Sequence, residues 1–255
     1  MLQAHSILWH YLWVAPNVFL LVLAMVLWQR GLHRQYLAFF LFAIWGGLAQ
    51  LTLYAADVIP SVSPDTFWHV LWSGLLIEAV LKFAVIGELF SGIFGPYPSL
   101  AKLGKILIRG VGVSLVLAAA LAAAFSPVSN SHRLIWGPHL LEQTIYIIES
   151  GLLLFFFLFS AYFRLRADRI ALGICLGLAI SSCTHLATWA VAANNSSRAV
   201  SVRLDFLNMA TYHACVLIWF YYLLVPQKVA NKSAVPIPEH NLEIWNRELE
   251  RFLQP

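Results

Sequence analysis

Seven apolar stretches, each long enough to cross a bilayer, take up almost all of this 255-residue chain. They run over about 6–28, 36–56, 66–93, 105–125, 136–163, 170–193 and 204–225. A lipid-facing helix needs roughly 20 predominantly apolar residues to span about 30 Å of hydrocarbon. Only helices and closed barrels satisfy their backbone polar groups there. The pattern therefore predicts an all-α, polytopic membrane bundle of seven transmembrane helices over residues 1–225. Only 11% of residues are charged, against about 25% in soluble domains. The formal net charge of +4 is the excess expected of cytoplasmic Lys and Arg. No basic stripe is interleaved with exposed aromatics, so a nucleic-acid partner is not expected.

The connectors set an expected topology. The first, third and fifth carry Arg30, Arg34, Lys102, Lys105, Arg109, Arg164, Arg166 and Arg169; the others hold Arg133, Arg198 and Arg203. The positive-inside rule then puts the N-terminus outside and the C-terminus in the cytoplasm. No cleavable leader is expected, because residues 1–5 lack a basic stretch and the first apolar run continues at spanning length. Pro16 is expected to kink the first span. Residues 226–255 read as a cytoplasmic tail. It ends in a short amphipathic helix at about 241–253, with Leu242, Trp245, Leu249 and Phe252 at helical spacing. Its polar face mixes Glu243, Glu248 and Glu250 with Arg247 and Arg251. That balanced face suits packing on protein better than on lipid. Arg164, Arg166 and Arg169 join it as candidate partner-binding residues.

Ionisable groups inside spans are costly, about 2.5–3.5 kcal/mol each on insertion scales, so each needs a partner or a task. In span three, Glu78 and Lys82 are four apart in the favoured order for an ion pair; the pair either fixes packing or anchors a relay or ligand. Glu88 is expected to reach water at the cytoplasmic end. In span five, His139, Glu142, Tyr146 and Glu149 recur at steps of three, four and three, on one helix face. In span six, Ser181, His185 and Thr188 share a face, as small polar residues often do at helix contacts. In span seven, Asp205, Asn208 and Tyr212 share another, with His213 beside it. Asp205 also suits a helix cap. A rise of 1.5 Å per residue brings Glu78, Glu149, His185 and His213 to similar depths. One polar site near the midplane is expected, made of Glu78, Lys82, Glu142, Tyr146, Glu149, His185, Asn208, Tyr212 and His213.

For cofactors, His185, His213, Glu142 and Glu149 are the candidate metal or haem ligands. The histidines are scattered singly, with no H-x-x-H or H-E-x-x-H. Retinal is not expected, since 204–225 contains no lysine for a Schiff base. Cys175, Cys183 and Cys215 form no C-x-x-C pair and read as small buried hydrophobes. No P-loop or G-x-S-x-G elbow occurs.

The stretches Leu8 to Pro16 (LWHYLWVAP), Gly31 to Phe40 (GLHRQYLAFF), Gly87 to Leu100 (GELFSGIFGPYPSL) and Leu140 to Arg166, with its Phe-rich middle, resemble a group of seven-helix bacterial inner-membrane proteins. That resemblance implies the architecture and a bacterial inner-membrane location, and brings no catalytic residues. The expected role is a receptor-like or accessory module without enzymatic activity. The alternatives are a proton-coupled small-solute transporter using Glu142 and Glu149, and a haem- or metal-binding subunit of a membrane oxidoreductase.

Overall fold

The computed structural model describes residues 6–60, 62–94, 130–162, 168–193 and 197–225, together with Ile106, Gly110 and Val113. Helix α1 (Ile7–Gln29) begins where the Ser6 side chain accepts a hydrogen bond from Trp9 N at 3.3 Å, which satisfies one of the orphan amides of a first turn. It ends at Gly31, whose φ of 69° is left-handed and suited to glycine at a helix C-terminus. A short 3-10 turn, Leu32–Arg34, reverses the chain. Next come α2 (Leu37–Val58), α3 (Pro64–Phe94), α4 (Asn130–Tyr162), α5 (Arg169–Ala193) and α6 (Arg198–Leu224).

Among the described residues, six helices are long and apolar enough to cross a membrane. This corrects the seven-helix count. The expected fourth span, 105–125, lies outside the described residues apart from Ile106, Gly110 and Val113. The opposite-sided topology was tied to seven crossings and goes with that count. The tail 226–255, with Leu242, Trp245, Leu249 and Phe252, also lies outside the described residues, as do Arg164 and Arg166. What stands is an all-α, multi-pass membrane protein.

The six helices close on themselves. Each packs on the next in chain order, α6 returns to α1, and α3 also touches α5. The interior holds Leu20, Leu23, Phe42, Ile86, Phe156 and Leu178, all essentially inaccessible. The outside carries exposed Met25, Leu41, Val80, Leu154, Leu158 and Leu217. In water such a surface would aggregate; in a bilayer it is the lipid-facing side.

Two contacts fix helix neighbours. Gly177 on α5 lets the Trp219 indole of α6 lie against its backbone; a Cβ there would stand 2.2 Å from Trp219 Nε1. That indole N–H donates to Ile174 O at 3.3 Å. Close approach at small residues is how membrane helices gain packing energy without a hydrophobic drive between them. Second, Glu88 on α3 does not simply reach water. Its carboxylate accepts from Ala38 N at 3.1 Å and Phe39 N at 3.4 Å, capping the N-terminus of α2, where negative charge is favoured.

The ends of α5 and α6 are tied similarly. The Tyr36 hydroxyl donates to Asp168 just before α5. The Arg30 guanidinium donates to Leu223 O at 2.6 Å. Arg169, expected to face a partner, instead lies over the rings of Tyr221 and Tyr222, 5.4 Å from each centroid, and donates to Val225 O at 3.4 Å. It holds the chain's own helix α6. Cys175 and Cys215 are buried as expected, whereas Cys183 is exposed.

Candidate functional site

Helix periodicity carries Glu78 and Lys82 to one face of α3. Their side chains form an ion pair at 3.2 Å. Lys82 also reaches α4, where Glu149 stands at 3.9 Å. Lys82 and Glu149 are both buried. Among the described residues, neither Glu149 carboxylate oxygen has a hydrogen-bond partner at standard geometry. The neighbouring Ser182 hydroxyl instead donates to Leu178 O at 2.9 Å. Lys82 is thus the group that balances Glu149.

One turn from Glu149, Tyr146 joins this ion-pair cluster to a cavity. The Lys82 ammonium lies over the Tyr146 ring, 4.7 Å from its centroid, a cation–π distance. The same ring stacks on His185 of α5 at 4.4 Å, with the planes 8° apart. Tyr146 and His185 then form part of the wall of a cavity of about 350 Å³ between α4, α5 and α6. Glu142, Trp189, Asp205 and Asn208 also line it. The Thr188 hydroxyl lies 3.0 Å from both His185 O and Asn208 Oδ1, tying the α5 and α6 walls together.

Most of the expected cluster therefore converges. Glu78, Lys82, Tyr146 and Glu149 form one contiguous group, and Glu142, Tyr146, His185 and Asn208 line the adjoining cavity. Tyr212 lies inward, with its hydroxyl near Gly46 of α2. His213 does not join. Its ring packs against Tyr11 and Phe19 of α1, at 5.8 and 5.6 Å. The reason is rotational: on α6 it stands about 100° from Tyr212, so one residue faces the interior and the other faces α1. His185 and His213 are thus not brought together as a ligand pair. Among the described residues, no group of three or more His, Cys, Asp or Glu is arranged to hold a metal ion. Asp205 is not a helix cap, because α6 already starts at Arg198; it lines the cavity. The side chain of His139 lies outside the described residues.

Sequence reasoning missed the apolar walls of the cavity, Leu186, Trp189 and Met209. Trp189 had a signal: it is four residues beyond His185, hence on the same face. An indole near a span end reads first as an interfacial anchor.

No known family model, no curated protein and no solved structure matches the chain. The resemblance to seven-helix inner-membrane proteins is corrected accordingly, and the bacterial location it implied has no support beyond it. The multi-pass membrane character stands on the six helices themselves.

Proposed function

We propose that this chain is a receptor-like binding module of the membrane. A small polar ligand occupies the cavity between α4, α5 and α6, and occupancy is passed to the buried ion pairs through Tyr146. One observation carries the reading: a single side chain, Tyr146, lines the cavity and also lies under Lys82. A ligand that displaces the ring changes the surroundings of Lys82, Glu78 and Glu149 together. Pockets of roughly 300–1,000 Å³ with a few convergent polar groups are the usual form of small-molecule sites. The helical spacing of Leu242, Trp245, Leu249 and Phe252 supports an outlet to a protein partner through the tail.

A proton-coupled transporter is the second reading, favoured by one feature. Glu142 lines the cavity and Glu149 is sealed beside Lys82, two turns apart on one helix. A proton passed between them would couple the cavity to the interior.

The test is a broad metabolite panel screened by thermal shift on the full chain in maltoside detergent. The reading expects at least one compound whose stabilisation is lost in Asn208→Ala and Tyr146→Ala. If every hit stabilises these variants as well as the parent, the cavity is not the site. Hits are then offered to reconstituted vesicles under a pH gradient. Uptake that disappears in Glu142→Gln selects the transporter; binding without uptake selects the receptor.

A further inference from the structure

The charged residues of the cavity wall share one sign. Among its described lining residues, Glu142 and Asp205 are the charged ones, with no Lys or Arg. Among the described residues, Lys82 is the cation that acts on Glu142. That ammonium is already shared by Glu78 at 3.2 Å and Glu149 at 3.9 Å. Three glutamates of the spans (Glu78, Glu142 and Glu149) thus draw on one lysine among the described residues. Uncompensated charge in this environment is costly, so Glu142 is the group for which a ligand can supply the balancing charge. The rest of the wall suits a positive group with an organic body. Tyr146 and Trp189 offer aromatic faces, which attract ammonium groups, and Leu186 and Met209 offer apolar, adaptable surface. The cavity, about 350 Å³, holds far more than a bare ion.

We propose that the ligand is a small organic cation. Its ammonium group sits at Glu142 on the Asp205 side of the cavity, and its apolar body lies against Trp189, Leu186 and Met209. This rests on the binding-module reading and adds the ligand's charge and shape class.

The test uses three probes of matched shape: phenethylammonium, the neutral 2-phenylethanol, and the anion 3-phenylpropanoate. Each is titrated calorimetrically into the full chain in maltoside, which carries no competing choline headgroups. Phenethylammonium is expected to bind at least tenfold more tightly than the alcohol, with the carboxylate weakest. Glu142→Gln should abolish most of that preference, and Glu142→Asp should keep part of it. Trp189→Ala should weaken amine and alcohol alike. Gel filtration and melting temperature check that each variant folds, and the Gln/Asp comparison separates charge from folding. Equal binding of amine and alcohol, or preferred binding of the carboxylate, overturns the cation assignment and leaves the binding module standing. No binding by any of the three, while a compound of the broad panel still binds, does the same. Failure of both panels overturns both readings.

Discussion

Lys82 of α3 and Glu149 of α4 face each other at 3.9 Å inside the bundle, and both are buried. Removing one partner of a buried pair leaves an uncompensated charge, a loss of about 3–5 kcal/mol. Lys82→Met should therefore cost about that much in reversible detergent unfolding. Adding Glu149→Leu should restore much of it, because two apolar groups need no counter-charge. If the double variant were as unstable as the sum of the singles, the two residues would not be coupled.

Glu88 serves α2 across a helix interface. Loss of its carboxylate frees the Ala38 and Phe39 amides it now accepts from. Glu88→Ala should destabilise by about 1 kcal/mol, the usual size of a lost cap, with Glu88→Gln in between. Hydrogen exchange gives the local readout: amides at the start of α2 should exchange faster, while those at its C-terminal end keep their protection. Uniform acceleration along α2 would contradict a capping role.

Gly177 leaves no room for a side chain. Its missing Cβ would meet the Trp219 indole at 2.2 Å, and overpacking of this kind costs about 1–3 kcal/mol. Gly177→Ala should lower the melting temperature. Combining it with Trp219→Leu should recover part of the loss, since the smaller side chain opens the space. An unchanged melting temperature for Gly177→Ala would show that α5 and α6 do not pack this closely.

Tyr36, the residue just before α2, gives a pH signature. Burial, and then the Asp168 carboxylate that accepts its hydrogen bond, push the phenol well above its ordinary value of 10.0. The unfolded chain loses this proton near pH 10 while the folded chain keeps it. Stability from this group is therefore fully present below about pH 10 and falls as pH rises through the alkaline range. Tyr36→Phe should flatten that part of the stability profile and cost about 1 kcal/mol at neutral pH. The same alkaline slope in Tyr36→Phe would assign the effect to another group.

The sequence by itself determined the solvent of this protein and much of its candidate site. Long apolar runs with few charges are legible because a bilayer penalises each exposed polar group, and five of the expected spans match helices α1, α2, α3, α5 and α6 to within a few residues at most ends. The helical steps between Glu78 and Lys82, and between Glu142, Tyr146 and Glu149, were legible because a 3.6-residue period puts such positions on one face. Apolar length alone, however, predicted seven crossings, against six long apolar helices among the described residues. Tertiary structure decided what local spacing does not contain: how each helix is rotated about its axis and which neighbour it meets. That rotation sends Tyr212 inward and His213 toward α1, gives Glu88 to α2, and turns Arg169 onto Tyr221 and Tyr222. It also brings Trp189 to the cavity wall. Hydropathy is a property of one helix against lipid, whereas rotation is set by packing between helices, so only the assembled bundle specifies it.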